Sequence, residues 1–205
     1  MEAGPRRPRV LLFVPNLIGY LRVLLALAAF QYAHASPTTA FCLYALSQLL
    51  DAADGFAARR LHQASTFGAV LDMVTDRVST TCLAMLLAQL YQSRLLELCI
   101  LVHLDFFSHW FHMVAAYKQG QESHKVCANS FLRLYYWKPV LFIACAGTEL
   151  WYLLAFAGAK FPERRLDLAF RIVSPIMAFK QVANVAQLAE AVRVLVELDC
   201  TRKMG

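Results

Sequence analysis

Asp51, Asp54, Asp72 and Asp76 lie within or at the edge of strongly apolar stretches, where a charge has no ordinary place. One aspartate at the centre of a membrane helix costs roughly 2.5–3.5 kcal/mol, so four demand compensation. Their spacing indicates how it arises. Asp51 and Asp54 are three apart and share one helical face; Asp72 and Asp76 are four apart and share another. A short connection at 60–67 makes the two segments antiparallel neighbours, so both acid pairs converge near one membrane surface. Four clustered carboxylates repel one another, and two divalent cations would balance them. Hard oxygen donors suit Mg2+ or Mn2+. No His or Cys accompanies them at ligand spacing, which argues against zinc. Gly55 and Ala58 leave space beside Asp54, Gly68 permits close helix approach, and Arg59 offers a planar cationic fork suited to phosphate. Together these groups describe a dinuclear site for a diphosphate. Two other readings use the same acids: ion pairs with Arg59, Arg60 and Arg77 that only hold helices together, or an ion-conducting or transport path.

The elements that must position these acids are membrane helices. The chain has 205 residues, of which 59% are apolar and 17% charged, against about 45–50% and 25% in a soluble domain. That excess excludes disorder and opposes a soluble monomer. Six runs are long enough to span a bilayer, at about 15–35, 38–60, 71–92, 95–117, 138–159 and 167–195. The expectation is therefore an all-α integral membrane protein, a single domain over 1–205 with six transmembrane helices and short tails. The last run is long and leaves the bilayer before its end.

Arg6, Arg7 and Arg9 before the first run resemble a signal-peptide start, but the run is too long and Pro15-Asn16 interrupts it, so a retained helix is expected. Net charge is +6. The cations concentrate on one side: Arg6, Arg7, Arg9, Arg60, Lys118, Lys125, Arg133, Arg202 and Lys203, against Arg94, Lys160, Arg164 and Arg165 opposite. This bias puts both termini, and the acid cluster, on the cytoplasmic side. Such loop-borne charge reads as topology and phosphate binding, not nucleic-acid binding. Six cysteines (Cys42, Cys82, Cys99, Cys127, Cys145, Cys200) form no CxxC pair and read as small hydrophobes.

Two further polar stripes interrupt the apolar runs. Asp105, Ser108, His109 and His112 fall at offsets 0, 3, 4 and 7, on one helical face. Lys180, Gln181, Asn184 and Gln187 repeat the pattern in the last run. Either stripe must face inward, as the lining of a polar pocket or as interhelical hydrogen bonding and a dimer seam.

The stretch 51–76 reads D-x2-D-G-x2-A-R-x8-G-x3-D-x3-D, eight fixed positions over 26 residues. This resembles the signature of the CDP-alcohol phosphatidyltransferases. Pro15-Asn16-Leu-Ile-Gly19-Tyr20-Leu-Arg22 is similar to the start of that family's first span. Within the family, Phe13–Tyr20, Gly68–Arg77, Ser108-His109-Trp110 and Ser123-His124-Lys125 look closest to the eukaryotic inositol-using branch.

The resemblance implies a six-helix fold, often a homodimer among membrane lipids, in the endoplasmic reticulum. It implies transfer of a phosphatidyl group from CDP-diacylglycerol to an alcohol, here myo-inositol, with release of CMP. It places Asp51, Asp54 and Asp72 as metal ligands, and Asp76 as proton acceptor with a part in binding metal. Gly55, Arg59 and Ser65 would hold the CDP moiety, and the Asp105, Ser108, His109 and His112 stripe is a candidate inositol pocket. A sister enzyme using glycerol 3-phosphate, serine, choline or ethanolamine is the alternative within the family.

Overall fold

The computed structural model describes residues 7–119, 130–161 and 164–203. Arg6, the Ser123-His124-Lys125 string and Cys127 lie outside the described residues. Those described are helical, with no strand among them. Helix α1 (Arg7–Leu11) is a single turn; α2 (Val14–Tyr32), α3 (Pro37–Arg60) and α4 (Thr66–Leu90) follow. A 3-10 turn at Gln92–Arg94 leads into α5 (Leu95–Lys118), then α6 (Ser130–Tyr135), α7 (Lys138–Lys160) and the 40-residue α8 (Arg164–Lys203). The six expected runs thus correspond to six long helices. Three of them, Val14–Tyr32, Gln92–Lys118 (α5 with its preceding turn) and Lys138–Lys160, are long and apolar enough to cross a membrane. The other three are long enough but carry more charge: α3 has Asp51, Asp54, Arg59 and Arg60, and α4 has Asp72, Asp76 and Arg77.

By its internal contacts the chain divides into two units, residues 1–90 with 155–162, and 91–154 with 163–205. In the first, α2 packs against α3 and α4. Its buried face is Asn16, Gly19, Arg22, Ala26 and Ala29, at helical spacing. Leu17, Leu21, Leu24 and Leu27 point outward and are exposed, as expected when the solvent is lipid. Between helices in lipid there is little hydrophobic drive, so small residues and polar contacts carry the association. Ala40 and Ser47 of α3 are buried as well, and the Ser47 hydroxyl donates to the Arg22 carbonyl at 2.9 Å. On α4, a Cβ placed at Gly19 would come within 3.0 Å of the Leu71 side chain, so α2 and α4 are in close contact there.

In the second unit α5 and α6 pack on α8. Ala115 of α5 meets Ala191 and Val194 of α8, and Tyr135, Ala144 and Ala183 form a second buried cluster with Phe179 against it. A Cβ at Gly147 would lie 2.5 Å from the Ile176 Cγ2, so only a glycine lets α7 and α8 meet there. Pro175 lies inside α8; it removes one helical hydrogen bond and permits a bend.

Candidate active site

Arg22 organises the first unit. It is fully buried. Its Nη1 stands 2.8 Å from an oxygen of each of Asp51, Asp54 and Asp72, and its Nη2 pairs with Asp76. Nη1 has two hydrogens and donates them to Asp54 and Asp72, so it meets Asp51 as an ion pair and not as a donor. The expected convergence of the four acids is therefore present, and the helices explain it. Asp51 and Asp54 follow Tyr44 and Ser47 on the buried face of α3, while Asp72 and Asp76 precede Ser79 and Leu83 on α4. The suggestion that Arg59, Arg60 and Arg77 balance the acids is corrected in part. Arg77 lies 3.6 Å from Asp76, but Arg59 and Arg60 are exposed and make no ion pair with the aspartates among the described residues.

No role for Arg22 follows from the acid motif alone. A signal was nevertheless available: an arginine in the middle of an apolar run carries the same desolvation cost as an aspartate and needs a partner. It also falls in phase with Asn16 and Gly19, a polar and small face on a helix that is otherwise leucine-rich.

Beside the acids is a cavity of about 150 Å3, lined by Asn16, Asp54, Gly55, Ser65, Gly68 and Asp72 among others. The loop from α3 to α4 forms part of its wall and is fastened at several points. Helix α3 ends with His62 in the left-handed conformation (φ 53°), and the Gln63 N–H returns to the Ala58 carbonyl at 3.0 Å. That pattern closes a helix and usually employs glycine. The Gln63 side chain accepts from the Val14 N–H at 2.9 Å. Ser65 then caps α4, its Oγ accepting from the Gly68 N–H at 3.0 Å. Ser65 thus has a structural task as well as a place on the cavity wall. The cap also accounts for α4 starting at Thr66, five residues before the expected 71.

Asn16 is buried and donates to the Val10 carbonyl at 2.5 Å, while its Oδ1 has no partner. A Cβ at Gly68 would meet that oxygen at 2.7 Å and the Ser65 Oγ at 3.1 Å. Gly68 is therefore the point where α4 fits against α2. Gly55 differs: a Cβ there would touch only the Arg59 guanidinium, at an ordinary 3.4 Å. Arg59 lies along its own helix toward Gly55, one turn back.

In the second unit the two polar stripes meet. Lys180 is buried, donates to the Asn184 Oδ1 at 2.5 Å, lies 3.9 Å from Asp105 and faces the Tyr135 ring at 5.7 Å. Asn184 donates to Asp105 at 3.5 Å, and the His109 Nδ1 lies 3.5 Å from the same carboxylate. One turn further, the Tyr136 hydroxyl contacts the His112 Nε2 at 3.0 Å and accepts from Gln187 at 2.5 Å. Ser108 is fully buried and donates to the Asp105 carbonyl at 3.0 Å. Asp105, Ser108, His109 and His112 are thus brought together on α5, opposite Lys180, Asn184 and Gln187 of α8.

The aspartate cluster fits divalent metal. Oxygens of Asp51, Asp72 and Asp76 lie within 4.8 Å of one another, and Asp54 joins them through Arg22. The donors are all carboxylate, which selects hard cations. A cationic nitrogen already sits at equal distance from three of them, as a stand-in for an ion. Apolar helices around a carboxylate cluster define a class: helical membrane proteins with a polyacidic site that could bind metal. The comparisons with known proteins narrow it. Residues 12–161 match the CDP-alcohol phosphatidyltransferase family, and the chain belongs to that family. It is 43% identical to a CDP-diacylglycerol–inositol 3-phosphatidyltransferase of Homo sapiens, covering 93% of this chain and 94% of that one. It is 40% identical to the protein so named from Schizosaccharomyces pombe, over 96% and 94%, and 37% identical to form 1 from Arabidopsis thaliana, over 97% and 95%. No solved structure matches the chain significantly.

Proposed function

We propose that this protein transfers the phosphatidyl group of CDP-diacylglycerol to myo-inositol, giving phosphatidylinositol and CMP. The observation that carries the reading is the convergence of Asp51, Asp54, Asp72 and Asp76 beside a cavity walled by Gly55, Ser65 and Gly68, in a chain of this family. The names of its relatives support inositol as the acceptor.

In this reading Asp51, Asp54 and Asp72 hold the metals, with Asp76 sharing one. When bound, two Mg2+ or Mn2+ ions would clamp the diphosphate and offset charge on the departing CMP. An inositol hydroxyl attacks the phosphorus that bears diacylglycerol, and the bond from that phosphorus to the CMP oxygen breaks. Asp76 takes the hydroxyl proton. Gly55 leaves room for the diphosphate, Arg59 neutralises phosphate and Ser65 offers a hydroxyl to the CDP portion. Acceptor recognition falls to Asp105, Ser108, His109 and His112, buried or half-buried groups that can pair with hydroxyls. The long helices make six spans of one membrane domain, the active site faces the cytoplasm, and the protein works as a homodimer in the endoplasmic reticulum membrane.

The test is CMP release by purified protein given CDP-diacylglycerol, Mg2+ or Mn2+, and one alcohol at a time. Release with myo-inositol and not with glycerol 3-phosphate or serine is expected. Release with one of those alone would assign a sister activity. No release with any alcohol, together with ion flux into vesicles, would replace the enzyme by a transport path.

A further inference from the structure

The charge balance of the site includes a cation that the acid motif does not contain. Four carboxylates, the Arg22 guanidinium and that of Arg77, 3.6 Å from Asp76, leave a formal net charge of about −2 where Coulomb interactions are strong. Arg22 does more than neutralise. Its Nη1 lies 2.8 Å from oxygens of Asp51, Asp54 and Asp72, at the point on which three aspartates from two helices converge. A divalent ion held by those oxygens would need the same point, at the shorter distance of about 2.0–2.1 Å for Mg2+. Two hydrogens on Nη1 cannot serve three carboxylates, and Asp51 stands 2.8 Å away without receiving one of them. The Nε is buried with no partner among the described residues. Nη1 is thus an imperfect occupant of a point that faces three carboxylates with only two hydrogens to offer.

We propose that Arg22 is a positioning residue that competes with metal: its guanidinium holds the four aspartates together when metal is absent, and a divalent ion displaces Nη1 from their focus on loading. Without this tie, four carboxylates on α3 and α4 would push the helices apart before metal arrived. The tie also lowers apparent metal affinity, because only the fraction of molecules with the focus vacated can bind. The site would then load when metal and diphosphate come together. This rests on the reading of the aspartates as metal ligands.

The experiment uses the full chain in detergent with Mn2+ as probe, following free Mn2+ by electron paramagnetic resonance and unfolding by thermal shift. Arg22→Gln is expected to bind Mn2+ about tenfold more tightly than the unaltered protein, by removal of the competing occupant. It is also expected to unfold at lower temperature in EDTA and to recover most of that loss in saturating Mn2+. Arg22→Lys keeps a charge on a shorter arm without the fork, so its affinity should fall between the two while its EDTA stability holds. If Arg22→Gln does not fold with or without Mn2+, the lysine variant decides: affinity equal to or weaker than unaltered protein overturns the proposal. Equal loss of stability with and without Mn2+ also overturns it and leaves Arg22 a structural ion pair. Asp51→Asn separates the two levels. If it binds Mn2+ like the unaltered protein, the metal-ligand reading fails with the inference; if Asp51→Asn loses Mn2+ but Arg22→Gln does not gain it, only the inference fails.

Discussion

Adding one methyl group at Gly68 tests whether the fit of α4 against α2 shapes the nucleotide side of the site. The new Cβ would stand 2.7 Å from the Asn16 Oδ1 and 3.1 Å from the Ser65 Oγ, so at least one must move. Asn16 has little freedom: it is buried, and its amide is bonded to the Val10 carbonyl. Rotating it away strands a buried donor, at a cost of about 1–3 kcal/mol. Moving Ser65 instead loosens the α4 cap, worth about 1 kcal/mol. Against these stands the gain in helix propensity from Gly to Ala, at most about 1 kcal/mol. With Asn16 displaced the balance is a loss of up to about 2 kcal/mol, which for a chain of this size lowers Tm by about 2–6 °C. Both displaced groups line the cavity, so the KM for CDP-diacylglycerol should rise in parallel. Thermal shift in detergent and CMP-release kinetics measure the two effects. A Gly68→Ala protein with unchanged or higher Tm and an unaltered KM would refute the close-fit argument.

The other predictions separate the roles of neighbouring residues. Gly55→Ala meets no tight contact, so Tm should hold or rise slightly while the KM for CDP-diacylglycerol climbs about tenfold, as each 1.4 kcal/mol of lost binding gives; a lower Tm with normal KM would place the need for glycine in packing. Asp76→Asn should cut turnover by at least about a hundredfold, the usual worth of a general base, while CDP-diacylglycerol still binds; near-normal CMP release would remove it as proton acceptor. His109→Ala should raise the KM for inositol about tenfold and leave CDP-diacylglycerol binding unchanged, since a site built for hydroxyls depends on each partner; lower thermal stability with inositol affinity intact would make the α5 stripe an interhelical network.

Much of the helical layout could be read from the lengths of the apolar runs because membrane helices must be long and nearly uniform. The acids were legible for the opposite reason, as costly exceptions placed in phase on facing segments. What escaped was of two kinds. Helices α1 and α6, of five and six residues, are too short for a hydrophobic period to stand out. The tie at Arg22 connects residues 29 to 54 positions apart, and helix phase alone cannot say which cation reaches which acid. Arg59 is adjacent in sequence and suited in type, yet it is exposed; Arg22 reaches the cluster because Gly19, Ala26 and Ser47 let α2 approach closely. The start of α4 was misplaced because Ser65 caps it inside what reads as loop. Likewise, one face of α5 told where polar groups lay but not that Lys180, Asn184 and Gln187 would meet them.

The placement of Arg22 also bears on how the protein is made. Ribosomes deliver α2 before α3 and α4, and its arginine reaches the membrane before any of the carboxylates that will surround it. Asp76 follows 54 residues later, an interval of roughly 3–10 s at ordinary synthesis rates. Until Asp51 arrives, 29 residues behind, the arginine is an uncompensated charge in an apolar helix, worth about 2.5–3.5 kcal/mol against insertion. The leader helix is therefore a poor anchor by itself and becomes a good one only when the following hairpin closes on it. A nascent chain halted after α2 should be extracted by alkaline carbonate and one halted after α4 should resist; equal retention of both would show that α2 needs no help.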